Sequence, residues 1–392
     1  MVKQASLFSQ LLCLVDRHHF EREVRRWEAE RHAKGFSCWS QFVAMMFCQL
    51  AQAKSLREIV DGLACCEGKL KHLGLENSPR RSTLCYANAH RPWQLYEGVF
   101  HSLLNLAQGL APGKRFGFKN KLFSLDATVI DLCLSLFDWA KFRQTKGAIK
   151  LHLLLDHDGY LPVFATVSEG AHHELAVARS LDFPKGSIVV MDRAFIDYKL
   201  FAKWTDQGIY FVTRLKKKAD FLAYERRPLP KSGPVRGDQI GMFNAFVAGG
   251  WWRRELRVVT IWDEVNQRQI QLLTNHLDFA ASTIAAIYKD RWQIEIFFKT
   301  LKQNLKIKTF VGSSANAVRT QIWTALIALL LIKILHFRSR FAWAISNLIA
   351  LLRWNLFTYR DLWLWIDRPF DTPPDSPPAQ LEFLDLDSIQ ST

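Results

Sequence analysis

The sequence predicts an α/β protein in consecutive parts: an all-helical stretch over residues 1–112, a sheet-bearing centre over 113–310, and a helical region over 311–366. Three observations predict it. Apolar residues recur at helical spacing up to Pro112. The pattern then switches to period-two strands at Leu122, followed by strands alternating with helices, and helical patterning returns after Thr274. A chain of 392 residues is long enough to bury a sizeable core in two or three domains.

The N-terminal elements follow from spacing and caps. Leu7, Leu11, Leu14 and Val15, then Phe20, Val24 and Trp27, keep a helical period. Ser37 suits the N-cap of a helix through Phe42, Val43, Met46, Phe47 and Leu50, and Ser55 with Glu58 suits a capping box for the next. Two helices joined by the short turn around Lys54 fit a helix-turn-helix and an ordinary helical bundle equally well. The run Pro79, Arg80, Arg81, Ser82 supplies charge suited to phosphates. A further helix opens at Pro92 and stops near Gly109 and Pro112.

In the centre, Leu122–Ile130 reads as a strand with Phe123, Leu125 and Val129 on one face and Ser124, Asp126 and Thr128 on the other. An acid therefore interrupts an otherwise apolar strand. Ile149–Leu155 and Tyr160–Val167 form an antiparallel continuation across the tight turn at Asp156, His157, Asp158 and Gly159. Residues 174–183 suit a short helix, and Ser187–Met191 is a strand that ends in Asp192 and Arg193. A helix over Ile196–Gln207 and a strand over Ile209–Thr213 complete the alternation. A β-rich insertion follows at about 214–278, with Lys216, Lys217 and Lys218 at its start, Gly249-Gly250-Trp251-Trp252 inside it, and strands at Glu255–Trp262 and Gln269–Thr274.

Composition narrows the function classes. Lys plus Arg total 52 against 37 Asp plus Glu, a net charge of +15, which calls for a polyanionic partner. The 14 Trp and 28 Phe provide faces on which bases can stack. The Pro-rich stretch 367–392 is acidic and is expected to be disordered, so the remainder is more basic than the average. Seven Cys without a CxxC pair make neither a disulfide framework nor a zinc site and suit a reducing cytosol. The apolar run Leu11–Val15 is too short for a signal-peptide core, and Trp323–Phe337, interrupted by Lys333, reads as a buried helix rather than a membrane span.

The late stretch from Tyr288 to Lys306 organises the rest. Read as one helix, it brings Tyr288, Arg291, Glu295 and Lys302 onto one polar seam beside the apolar seam Ile287, Ile294, Phe298, Leu301 and Leu305. Glu295 thus sits where core meets solvent. Three acids stand out: Asp126 inside the first strand, Asp192 after the fourth, and Glu295 on this helix. A ribonuclease-H-like sheet pairs its fourth strand beside its first, which would make the two aspartates neighbours. Clustered carboxylates need a cation, and all-oxygen ligation suits Mg²⁺ or Mn²⁺. Two such ions can activate a water or a 3′-hydroxyl and stabilise the leaving oxygen of a phosphoryl displacement.

The spacing Tyr288-x2-Arg291-x3-Glu295-x6-Lys302 resembles the Y-x2-R-x3-E-x6-K signature of bacterial insertion-sequence DDE transposases, the group often called the IS-four family. Ser124-Leu125-Asp126-Ala127-Thr128 and Met191-Asp192-Arg193-Ala194-Phe195 resemble that family's first and second Asp motifs. The stretch Arg81-Ser82-Thr83-Leu84-Cys85-Tyr86-Ala87-Asn88 resembles part of the N-terminal domain attached to many members. The resemblance covers roughly residues 3–340. It implies an RNase-H-like core in which Asp126, Asp192 and Glu295 hold two Mg²⁺ or Mn²⁺ ions, while Tyr288, Arg291, Lys302 and Arg193 contact DNA. It implies a partner, double-stranded DNA carrying terminal inverted repeats together with target DNA, a homodimer in the DNA complex, no membrane, and a bacterial, cytoplasmic setting. Ala194 departs from the Gly usual after the Asp-Arg pair. A Trp of the insertion stacks on a flipped base in some members; Trp251, Trp252 and Trp262 are candidates, and each equally suits a strand face or core. His172, His173 and Glu174 suggest a solvent-facing loop rather than a metal site, and Lys146 and Lys150 fit DNA contacts and solvated edge charges equally. The rival readings are a metal-dependent nuclease or resolvase on the same core, and a silent transposase-derived DNA-binding repressor.

Overall fold

The computed structural model describes residues 5–371 apart from 32, 67–69, 114–115, 134, 138, 144–145, 170–173, 217–218, 244–245, 248–249 and 252–253. The acidic tail beyond Asp371 and the pair His172 and His173 lie outside the described residues.

Among the described residues six α-helices come first: α1 (Leu7–Leu12), α2 (Arg17–Arg26), α3 (Cys38–Ala51), α4 (Leu56–Ala64), α5 (Arg81–His90) and α6 (Gln94–Leu110). Their starts are chemically specified, because Ser6, Asp16, Ser37 and Ser55 each accept a hydrogen bond from a backbone N–H of the turn that follows. Glu58 departs slightly from the expected capping box: its carboxylate accepts from Lys54 N (2.8 Å), one residue before the cap. Helix α3 is buried along almost its whole length, so it cannot face a DNA groove, and the solvent face of α4 carries Glu58 and Asp61 beside Arg57. Of the two readings of the turn at Lys54, these two helices fit the ordinary bundle.

The strands are β1 (Leu122–Leu132), β2 (Lys141–Arg143), β3 (Lys146–Asp156), β4 (Leu161–Glu169), β5 (Ile188–Met191), β6 (Tyr210–Arg214), β7 (Phe221–Arg226), β8 (Val235–Phe243), β9 (Phe246–Val247), β10 (Gly250–Trp251), β11 (Leu256–Asp263) and β12 (Arg268–Thr274). Helices α7 (Glu174–Ser180) and α8 (Tyr198–Asp206) interleave with them. One sheet takes the order β2-β3-β1-β5-β6-β12-β11-β8-β7, with β4 also on β3, and β9 and β10 form a separate hairpin. β3 runs antiparallel to β1 and β4, whereas β1, β5 and β6 run parallel. The strands expected as an insertion extend this sheet: β12 pairs antiparallel with β6. A buried bidentate pair, Arg257 Nε to Asp238 Oδ1 (2.8 Å) and Arg257 Nη2 to Asp238 Oδ2 (2.7 Å), ties β11 to β8, and Arg257 also donates to Leu277 O (3.0 Å).

Period two sorts the sheet's faces. Phe123, Leu125, Val189, Met191 and Phe211 pack with Leu200, Phe201 and Trp204 of α8 on one face. Leu122, Ile188, Val190 and Val212 pack on the other with Ile284, Ile287 and Tyr288 of α9 (Ala281–Asp290). Ile130, Leu132, Ile149 and Leu151 join a larger core with the N-terminal helices and with α10 (Trp292–Asn304), α11 (Ala315–Arg338), α12 (Ile345–Asn355) and α13 (Leu362–Asp367). Val129, expected beside Phe123 and Leu125, is exposed because the strand there has run past the α8 core. Helix α11 starts earlier than expected and, at 24 residues, is long and apolar enough to cross a membrane by length and composition, but 89% of its apolar window is buried inside the protein. All seven Cys are free.

Candidate active site

The two aspartates owe their proximity to strand pairing. β1 and β5 lie parallel in the register Leu122↔Ile188 to Leu125↔Met191, so Asp126 and Asp192 follow the last pair side by side. Both share the parity of Leu122 and Val190, which turns them toward the face covered by α9 and α10 rather than toward α8. Asp126 Oδ1 accepts from Ala127 N (2.8 Å), and Asp192 Oδ1 accepts from Arg193 N (2.6 Å) at the start of a 3₁₀ turn over Arg193–Phe195.

The stretch expected as one helix is two. The i→i+3 bonds Arg291 N to Tyr288 O (3.3 Å) and Ile294 N to Arg291 O (3.1 Å) tighten the chain at Arg291, where α9 ends and α10 begins. Tyr288 therefore belongs to α9 and packs in the sheet core, whereas Glu295 sits in the first turn of α10. The apolar seam is as expected: Ile287, Ile294, Phe298, Leu301 and Leu305 are all buried. Arg291, itself buried, lies between the acids, with Nη2 2.8 Å from Glu295 Oε1 and Nη1 3.8 Å from Asp126 Oδ2. Its guanidinium also stands 5.5 Å from the Tyr288 ring and 5.6 Å from that of Trp292.

Burial pushes the Asp126 carboxyl up to about 6; the Ala127 N–H and Arg291 oppose the shift, and Glu295 and Asp192 add to it. Burial dominates the ion pair because the Arg291 contact at 3.8 Å is long and is shared with Glu295. Burial likewise raises the Tyr288 hydroxyl. It lowers Arg291 too, but Tyr288, Glu295 and Asp126 more than offset it, so the guanidinium stays above its usual range. Lys302 is lowered by burial and by Lys308, against Asp131, and its Nζ donates to Thr128 Oγ1 (2.6 Å) and Val129 O (2.8 Å), joining the far end of α10 to β1. A groove of about 360 Å³ opens here, lined by Asp126 and Glu295 together with Lys299, Lys302 and Lys308.

The other expected residues divide. Arg193 is exposed at the start of its 3₁₀ turn. Trp251 contributes backbone to the β9–β10 hairpin, Trp262 is half-buried on β11, and Trp252 lies outside the described residues. Lys150 pairs with Glu174 (3.4 Å) instead of projecting freely from the edge. Two features escaped the sequence reading. Trp292, 53% exposed beside Arg291, offers a ring to solvent next to the acids. A buried relay, Ser124–His157–Asp290, runs behind them; its residues lie too far apart in sequence to be associated without the fold. Among the described residues no three His, Cys, Asp or Glu side chains close on one metal position. Arg291 holds Asp126 and Glu295 on either side of itself instead.

Acids on neighbouring parallel strands, a third acid on the helix facing them, and lysines lining the groove of Asp126 and Glu295 mark the candidate site of a mixed α/β protein. A family profile described as "Transposase DDE domain" matches residues 117–331, and one described as a domain of unknown function (DUF4372) matches residues 3–76. The chain is 30% identical over 303 residues to a putative transposase of Sinorhizobium fredii, covering 76% of this chain and 83% of that one. It is 26% identical over 224 residues to a probable transposase for insertion sequence element IS5377 of Geobacillus stearothermophilus, covering 57% and 59%. A piggyBac transposase in a synaptic complex with hairpin DNA superposes with a TM-score of 0.46 at 10% identity, covering 89% of this chain and 80% of that one. The chain belongs to the DDE transposase family.

Proposed function

We propose that the protein is an insertion-sequence transposase of the IS-four type, which binds the terminal inverted repeats of its element, cleaves the ends and directs the freed 3′-hydroxyl at target DNA. The observation that carries this reading is the placement of Asp126 and Glu295 in one groove lined with lysines, with Asp192 beside Asp126 on the neighbouring parallel strand. Strand order supports an RNase-H-like core, since β4-β3-β1 form an antiparallel meander and β5 and β6 follow in parallel. Domain bounds at 112 and 310 belong to the same proposal.

The donor set fits a hard divalent cation: all three side chains offer oxygen, and Asp126 is held in a state that a nearby positive charge would favour ionising. Asp126, Asp192 and Glu295 would hold two Mg²⁺ or Mn²⁺ ions, which when bound supply Lewis-acid activation of the attacking oxygen and neutralise charge on the leaving one. Arg291 balances Asp126 and Glu295 and would present its guanidinium to a phosphate; the Tyr288 ring, 5.5 Å from the guanidinium, would help to position it. Lys302 keeps α10 seated on β1 and, with Lys299 and Lys308, gives the groove the charge to receive a strand backbone. Arg193 and the insertion tryptophans Trp251 and Trp252 would also contact DNA. Helix α5, whose exposed Arg81, Ser82, Tyr86 and His90 carry no acid among them, suits the repeat-binding surface. Joining two ends calls for a homodimer, acting in the bacterial cytoplasm where the DNA is.

The test is cleavage and joining of a labelled duplex carrying the inverted repeats that flank the gene, in Mg²⁺, with Glu295→Gln as control. Cutting and joining by the wild type alone supports the reading. Cutting without joining favours a nuclease or resolvase, and binding without cutting favours a silent repressor.

A further inference from the structure

The tight turn between β3 and β4 is bound to both halves of the site. On one side His157 Nε2 lies 2.7 Å from the Ser124 hydroxyl, and Ser124 stands two residues before Asp126 on the same strand face. On the other side Asp290 Oδ2 accepts from His157 Nδ1 (2.6 Å) and from the Tyr160 hydroxyl (3.1 Å), and Asp290 directly precedes Arg291. The carboxylate can only accept, so Nδ1 donates to it, and Nε2 completes the link to the Ser124 hydroxyl. Ser124, His157 and Asp290 are 0%, 4% and 6% exposed, so no substrate reaches the serine, and the relay is not a nucleophile with its base.

The turn is itself held in a demanding conformation. Tyr160 keeps φ at +53° after Gly159 at +79°, a left-handed geometry that a bulky aromatic residue seldom adopts. A Cβ on Gly159 would meet Phe337 Cζ at 2.9 Å, and the Gly159 carbonyl accepts from Lys333 Nζ (3.0 Å) of the buried helix α11. A side chain would also disturb that close approach.

We infer that this turn is a positioning clamp: Ser124, His157, Tyr160 and Asp290 lock the Arg291 junction, and with it Glu295, against the strand that carries Asp126. The inference rests on the proposed metal-dependent chemistry. The four act through the acids and touch no substrate; their effect is to hold the helix that carries Glu295 in fixed register with the strand that carries Asp126.

The experiment uses full-length protein labelled with ¹⁵N-histidine and the variants Ser124→Ala, Tyr160→Phe and Asp290→Asn. Ser124→Ala and Tyr160→Phe each remove one hydroxyl, so they test the clamp even where Asp290→Asn fails to fold. Without metal or DNA, the wild type should show a far-downfield imidazole N–H resonance that Asp290→Asn abolishes. Mn²⁺ affinity, read by electron paramagnetic resonance, and the end-cleavage rate should each fall about tenfold in Ser124→Ala and Asp290→Asn, with affinity for the DNA end unchanged. Ser124→Ala combined with Asp290→Asn should lose less than the product of the two singles. Wild-type Mn²⁺ affinity and cleavage in Ser124→Ala, or losses that merely track DNA affinity and unfolding, would overturn the clamp. A wild type that shows the resonance but neither binds Mn²⁺ nor cuts would refute the functional reading, and the clamp with it, while confirming the hydrogen-bond network.

Discussion

Asp126→Asn should make the protein more stable while destroying its activity, and the gain should depend on pH in a defined way. The carboxyl sits at about 6 in the folded chain against 3.8 unfolded, because burial and two neighbouring acids outweigh Arg291. An acid whose folded value is raised stabilises the fold only while protonated. That contribution is fully present below about pH 3.8 and is lost as pH rises through about 6. A shift of roughly two units corresponds to a penalty of about 3 kcal/mol on the ionised form at neutral pH. Asn keeps the shape, and its Oδ1 can still accept from Ala127 N, so the substitution removes the charge and little else. Denaturant unfolding should therefore show Asp126→Asn more stable by up to about 3 kcal/mol above pH 7, the difference shrinking to about a third of that near pH 4.5. End cleavage should be lost at every pH. A difference that is independent of pH, or a destabilised variant at pH 8, would refute the claim that this acid is held in an unfavourable state.

Glu295→Gln removes a like charge from beside Asp126, so the Asp126 carboxyl should titrate lower, visible by ¹³C NMR of the labelled carboxyl, while cleavage falls by more than about a hundredfold with DNA still bound. Lys302→Met forfeits the bonds to Thr128 and Val129; DNA affinity should drop and the slope of its salt dependence should decrease by about one, measured by fluorescence anisotropy across ionic strength. Arg257→Met leaves Asp238 charged and buried without its partner and should cost about 3–5 kcal/mol in unfolding experiments, whereas replacing both residues with apolar ones should cost much less.

Much of the candidate site was legible because strand physics is local and periodic. An acid within the apolar run Leu122–Ile130, and another directly after Ser187–Met191, stand out as exceptions to burial, and the parallel pairing of β1 and β5 brings them together. The caps at Ser37 and Ser55 were equally plain. The break at Arg291 left no trace, since Tyr288 to Lys306 contains neither Gly nor Pro and Arg291 keeps helical dihedrals; only the two i→i+3 bonds interrupt the ladder. Tertiary packing also united what composition separated. Helix α11 shares one core with α3 and α6 from the other end of the chain, which no local pattern announces. The relay through His157 stayed hidden for the same reason: 33 residues separate it from Ser124 and 133 from Asp290.

The central claim is that Asp126, Asp192 and Glu295 form one divalent-cation site. Counting Mn²⁺ bound to the protein in complex with its DNA end, by electron paramagnetic resonance, tests it most directly. The account predicts bound Mn²⁺ in the wild type that is weakened or lost in Asp126→Asn, Asp192→Asn and Glu295→Gln alike. Binding undiminished in all three would contradict it.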